Sequence, residues 1–239
     1  MQCAMKYRLE TVGIDVLLVR LFEHIDEENI PWLLAAASRL RGAFGQQLID
    51  LVPSYTTLML HYDIQQLDDR DVRLRVQQAL QDLQPEQDDT AGQRHELPVW
   101  YHTSVGPDLV QLARAKGITE RALVKAHCAR DYRVFALGFA PGFAYLGLLD
   151  PQLAAPRLAT PRKRVPAGSV GIAEQQTAVY PSVSPGGWNL LGRTAVRLFD
   201  PASDGYSLLQ PGDSVRFVAI ERSEFLRQGG DDTPLEPEA

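Results

Sequence analysis

From Asp131 onward the sequence never sustains an apolar run for long. Tyr132 to Phe139 is apolar at both parities, as a strand buried on both faces would be, and after it short runs of Val, Ile, Leu and Phe are cut repeatedly by Gly and Pro. The densest examples are PRKRVPAGSVG at 161–171 and SPGGWNLLGRT at 184–194. They are too apolar for a disordered linker and too broken for a helix. A chain of this texture must turn many corners, which suits a closed barrel or a sandwich.

The polar, acidic segment QPEQDDTAGQ (84–93) has nothing to bury and marks a domain boundary. The reading is an α/β domain over 1–92, a β-barrel domain over 93–225 and a disordered tail over 226–239, where GGDDTPLEPEA has no apolar period. In the first domain, strands at 7–12 and 15–22 precede a helix that Asp26 can cap, with Ile30, Leu33, Leu34, Ala37, Leu40 and Phe44 at helical period. A hairpin at 48–62 and a second amphipathic helix through Val72, Val76, Ala79, Leu80 and Leu83 follow. The order is β-α-β-β-α, and the strand 95–101 is expected to complete a split βαβ sandwich. After the boundary come two short helices, one with Pro107 in its first turn and one capped by Thr119, with Leu123, Val124, His127 and Cys128 inward.

Composition narrows the function classes. At 239 residues with 45% hydrophobic and 23% charged residues the chain is globular. A net charge of -6 argues against nucleic acid as the main partner. No apolar run is long enough to span a bilayer and the N-terminus lacks a signal-peptide core, so the expected compartment is the cytoplasm. Cys3 and Cys128 read as free thiols, with neither a disulfide framework nor a metal spacing. Phosphate loops, dinucleotide fingerprints, zinc-protease and serine-hydrolase motifs are all missing. With only four lysines, any anion must be held by arginines and loop amides.

Three stretches carry candidate chemistry. In GFAPGFAYLG, Gly138, Pro141, Gly142 and Gly147 interrupt Phe139, Phe143 and Tyr145, giving a rigid apolar loop that is either a pocket wall or a packed barrel corner. Arg157 and Arg162 each follow a proline, and the small residues 167–169 leading to Gly171 read either as an anion-binding nest or as a hairpin with solvated charges. Trp188, on the turn after Ser184-Pro185-Gly186-Gly187, is either a corner plug or a stacking surface for a ring-shaped ligand, with Arg193 close behind.

GFAPGFAYLG, TPRKRVPAGSVGIAEQQTAVYP and SPGGWNLLGRT resemble the signature blocks of the family of 5-oxoprolinase B subunits, also described as allophanate hydrolase subunit 1, KipI-like kinase inhibitors or the carboxyltransferase C–D domain. The likeness runs along most of the chain, through GPDL, LFDP and LLQPGDSVRF. It implies a ferredoxin-like N-terminal domain followed by a cyclophilin-like β-barrel. It also implies an ATP-dependent hydrolase that opens 5-oxo-L-proline to L-glutamate only as a complex with a homologous barrel, the C subunit, together with the enzyme's A subunit. ATP is then a co-substrate shared with the partner, with no metal beyond Mg accompanying it.

Carried over onto this chain, the resemblance assigns anion contact to Arg157 and Arg162, and a nest to Gly168, Ser169 and Gly171. Ligand orientation falls to Gln176, Tyr180 and Trp188, with Arg193 as a further contact. As an anion contact, Arg162 is expected on replacement by Ala to abolish activity without unfolding the protein. The pocket wall is Phe139, Pro141, Gly142, Phe143 and Tyr145. No catalytic nucleophile stands out, and His127 reads as a core residue. The chain departs from the family in Ala144 and in Ala173-Glu174-Gln175-Gln176-Thr177-Ala178, where Glu174 adds an acid beside the anion site if it points inward. The competing functions are a KipI-like inhibitor of a sensor histidine kinase and a component of a carboxyl-transfer enzyme or allophanate-type amide hydrolase.

Overall fold

The computed structural model describes residues 6–86 and 92–235. Cys3, the centre of the acidic break and the last four residues lie outside them. The chain divides into two compact units, Met1–Gly92 and Gln93–Ala239.

The first unit contains β1 (Arg8–Thr11), β2 (Val16–Arg20), α1 (Ile30–Phe44), β3 (Leu48–Ser54), β4 (Thr57–Tyr62) and α2 (Asp69–Ala79). Its sheet is antiparallel in the order β1-β2-β4-β3. Asp26 caps the 3-10 turn that leads into α1 by accepting from the Glu28 amide, and Asp68 caps α2 through the Asp71 amide at 2.8 Å. Leu33, Ala36, Ala37, Leu40 and Phe44 of α1 and Val72 and Val76 of α2 are buried with Leu17, Val19, Leu58 and Leu60 of the sheet. The strand expected to complete this sheet does not do so. β5 (Arg94–Val99) runs parallel to β13 (Ser214–Ala219) in the second unit, over six register pairs from Ser214↔Arg94 to Ala219↔Val99. Leu97 and Val99 alternate into the second core, and that burial outweighs the pull of a split βαβ pattern.

The second unit continues with α3 (Leu109–Ala115), α4 (Glu120–His127), β6 (Asp131–Leu137), β7 (Ala144–Gly147), β8 (Arg162–Val165), β9 (Ser169–Ala173), β10 (Gln176–Val179), β11 (Ser184–Gly186), β12 (Asn189–Arg193), β13 and α5 (Arg222–Arg227). Seven strands form one mixed sheet in the order β12-β9-β10-β7-β6-β13-β5, and β8 and β11 form a separate ribbon. The sheet curls until its two edge strands meet. Trp100, just after β5, exchanges both backbone hydrogen bonds with Arg193 of β12, at 2.9 and 3.0 Å, so the barrel is nearly closed. Leu97, Val134, Leu146, Val170, Ile172, Leu191, Val215 and Phe217 fill its interior.

Closure demands close backbone approach. A Cβ on Gly192 would lie 2.6 Å from the Trp100 carbonyl oxygen, and one on Gly106 2.1 Å from the Leu191 carbonyl carbon. The tail, read from composition as disordered beyond residue 225, is ordered through Leu235. Phe225 is buried beside Trp100, and Leu235 packs on an aromatic cluster and donates its amide to Ser104 at 2.8 Å. Its few apolar residues find partners only on the barrel. Among the described residues no helix is long and apolar enough to cross a membrane.

Gly106→Ala is expected to destabilise the chain by about 3 kcal/mol or more, because backbone, not a side chain, occupies the space. Urea unfolding checks this, and a midpoint equal to wild type would show that the loop over β12 yields freely.

Candidate functional site

A cleft of about 350 Å³ opens between α3 and the segment 155–159, lined by Asp108, Gln111, Leu112, Ala115, Lys116, Ala155, Pro156, Arg157, Leu158, Ala159 and Asn189. Its size falls at the small end of ligand pockets. Asp108, at the N-terminal end of α3, makes no cap with its side chain. Instead its two oxygens accept from Arg162 Nη2 and from the Leu190 amide, each at 2.7 Å, tying α3 to β8 and β12. Asn189 donates its amide nitrogen to the carbonyls of Pro156 and Ile172, at 2.9 and 3.3 Å, which fixes its Oδ1 as the free end of the group. Lys116 donates to the Ala154 carbonyl and pins the opposite wall. Arg157 is exposed at the cleft and has no ion pair among the described residues, so its charge is open to an anionic ligand.

The structure separates the residues that the sequence grouped. Arg157 lines the cleft. Arg162 sits at its edge with its charge committed: its side chain and that of Asp108 are only 14% and 11% exposed, and Nη1 also reaches the Trp188 carbonyl. This commitment goes against the expectation of an anion contact whose loss would spare the fold. The expected nest is also absent. The Gly168 amide donates to Tyr180 and the Ser169 amide to Pro166, while Val170 and Gly171 lie in the β9 ladder, so none of these donors is left for an anion.

Tyr180 and Trp188 are buried, as a plug rather than a stacking surface. Phe143 contacts Phe139, Tyr145, Tyr180 and Trp188 edge-on at 5.0–5.8 Å, and the Tyr180 hydroxyl bonds the Trp188 main chain. The loop carrying Phe139, Pro141 and Gly142 is thus a barrel corner and does not line the cleft. Gln176, half-buried at the start of β10, pairs with Gly147 and Ala173. Glu174 takes φ 52 in the β9–β10 turn with its side chain exposed, while its main chain holds Ala155. Arg193 is buried on the outer face of β12.

Asp108, Lys116 and Asn189 were missed. Asp108 stands in the GPDL block, where the sequence marks only a helix start at Pro107, and only the tertiary structure brings Arg162 to it.

His127 lies in the barrel interior. The Thr177 hydroxyl donates to the Gly171 carbonyl at 3.1 Å, so it accepts from His127 Nε2 at 2.9 Å, and His127 Nδ1 accepts from the Tyr101 hydroxyl at 2.8 Å. Burial lowers its pKa to about 3, so the ring is neutral at physiological pH and serves as a core spacer. Burial also raises the thiol of Cys128, which donates to Tyr101. No group of three or more His, Cys, Asp or Glu side chains among the described residues is placed to hold a metal.

The chain belongs to a known family: the family described as Carboxyltransferase domain, subdomain C and D, matches residues 7–209. Within it, the chain is 34% identical over 234 residues to the B subunit of 5-oxoprolinase from Bacillus subtilis (strain 168), covering 92% of this chain and 95% of that protein. It is 55% identical over 123 residues to the B subunit of 5-oxoprolinase from Escherichia coli O157:H7, covering 52% of this chain and 56% of that one. The crystal structure of TTHA0988 superposes with a TM-score of 0.76 at 39% identity over 86% of this chain. This chain spans only 40% of the length of TTHA0988.

Arg162→Ala is expected to lower stability by about 3 kcal/mol, because it strands a buried carboxylate. A melting temperature at the wild-type value would make Arg162 a ligand contact after all. The His127 ring binds a proton near pH 6.5 when unfolded but only near pH 3 when folded. Stability is therefore lost as pH falls from about 6.5 towards 3. Denaturant titrations at pH 7 and pH 5 test this: His127→Gln should show a shallower loss than wild type.

Proposed function

We propose that this chain is the B subunit of an ATP-dependent 5-oxoprolinase that opens 5-oxo-L-proline to L-glutamate. A homologous barrel, the C subunit, together with the A subunit, completes the enzyme, which works in the cytoplasm. The reading rests on the likeness to a protein of that name over 95% of its length, together with a small cleft carrying one unpaired arginine. In the finer fold terms of this proposal, the first unit is a ferredoxin-like variant and the second a cyclophilin-like barrel.

In the cleft Arg157 takes the ring carboxylate through charge-assisted hydrogen bonds, and Asn189 Oδ1, held by its two carbonyl contacts, accepts the lactam N–H. Leu112, Ala115, Leu158 and Ala159 cover the ring methylenes. The lactam oxygen then faces the mouth, where a partner protein can deliver the phosphoryl group. The lactam is a poor electrophile, and phosphorylating its oxygen turns that oxygen into a leaving group. No hydroxyl or thiol lines the cleft, and the amides that would cradle phosphates are in the sheet. This chain therefore binds and orients the ring, while ATP and the attacking water are handled with the other subunits. A built, charged cleft favours this role over a regulator acting through surface alone.

Co-expression with the homologous barrel and the third component, omitting each in turn, tests the proposal by following glutamate release from 5-oxoproline. Glutamate that requires both ATP and this chain is the expected result; an assembled complex with no turnover would overturn it. In the active complex, Arg157→Ala should raise KM roughly tenfold to a hundredfold, about 1.5–3 kcal/mol of charged hydrogen bonding, without changing the melting temperature.

A further inference from the structure

Arg193 is 2% exposed, yet among the described residues its Nε and Nη2 have no hydrogen-bond partner. Nη1 donates to the main-chain oxygens of Asp231 at 2.6 Å and Thr233 at 3.1 Å. The Asp231 carboxylate stands 3.9 Å away with 72% of its side chain exposed, so it compensates the buried charge weakly. Arg193 is the register partner of Ser169, and residues directly opposite in an antiparallel pair leave the sheet on the same face. Ser169 is fully buried, and its Oγ is also without a partner. Among the described residues the other orphaned buried side-chain atom is the Ser184 hydroxyl of the β8–β11 ribbon, and the orphaned groups of Arg193 and Ser169, which share one register position, call for an acceptor.

The free side of the guanidinium is its Nε–Nη2 edge, whose two parallel N–H groups match two oxygens of a carboxylate or phosphate. Gly168, next to Ser169, leaves room for the arginine stem: a Cβ there would lie 3.3 Å from Arg193 Cγ. What covers the site is the segment 231–235, beyond Gly229, which takes φ 85. Besides the two Arg193 hydrogen bonds, it is held by an Arg222–Asp232 ion pair, the Leu235 amide on Ser104 and the Leu235 side chain on the aromatic cluster.

We propose that Arg193 and Ser169 form an oxyanion-binding site on the outer face of the barrel, for a carboxylate or phosphate group, and that residues 231–235 are a strap that closes it. The Asp231 and Thr233 carbonyls hold the guanidinium in the strapped state, and lifting the strap frees all of its donors at once. The site is distinct from the cleft and does not depend on the reaction assigned to it.

The test uses the full-length chain alone, carrying Arg157→Ala so that the cleft contributes nothing, titrated calorimetrically with inorganic phosphate and, separately, with acetate. Leu235→Ser, which loosens the strap, should tighten binding of one of these anions about tenfold. Tighter binding of phosphate would identify a phosphoryl ligand, and tighter binding of acetate a carboxylate. Adding Arg193→Lys to the loosened protein should abolish binding, since a lysine keeps the charge but loses the fork. Adding Ser169→Ala should weaken binding about tenfold while leaving the melting temperature unchanged or higher, because the hydroxyl it removes has no partner in the fold. This divergence separates a ligand site from a structural role. Neither anion binding to the loosened protein, or binding that survives both Arg193→Lys and Ser169→Ala, would overturn the proposal.

Discussion

Two backbone hydrogen bonds between Trp100 and Arg193 join the edge strands of the seven-stranded sheet, and much of the second unit is arranged around that seam. Without the seam, β5 and β12 would expose unpaired edges. With it, the loop after β5 must cross directly over β12, which only Gly106 and Gly192 permit at this distance. That crossing delivers Asp108 to the Leu190 amide and to Arg162, and so fixes where α3 begins. The cleft is the space left between α3 and the 155–159 segment. The site is thus a consequence of how the barrel closes.

Three arginines of the second unit end in different electrostatic states. Arg157 lies in solvent at the cleft mouth and keeps its charge available. Arg162 is neutralised by a carboxylate that has itself been taken out of water, so each group needs the other. Arg193 is buried on the reverse face with two of its nitrogens unmatched. Identical side chains of the second unit therefore hold, respectively, a solvent-exposed, a paired and an unsatisfied charge. The desolvation of each decides which, and the spacing along the chain does not.

The departures at 173–178 can be placed on the same footing. Glu174 stands at a tight turn with positive φ, where its exposed carboxylate faces water and its backbone anchors the cleft wall at Ala155. An acid at that position does not oppose an anion in the cleft in the way that an inward-pointing carboxylate would. The chain can therefore diverge at this turn and keep the cleft.

By itself the sequence determined the helices of the first unit and the Gly- and Pro-punctuated strands of the second, because periodicity and turn chemistry are local properties. It also carried the family likeness, through three blocks whose order and residues are specific. It did not determine where the strand at 94–99 would pair, since a strand with one apolar face fits either sheet until the core it meets is known. Nor did it reveal that the 168–171 amides are already bonded within the turn and the ladder, that Trp188 is a plug, or that the polar tail is held through Leu235. Those outcomes depend on contacts between residues far apart in the chain. Asp108 and Arg162, 54 positions apart, are the clearest case. Only the closed barrel brings them to 2.7 Å, and that contact turns a predicted ligand contact into part of the frame.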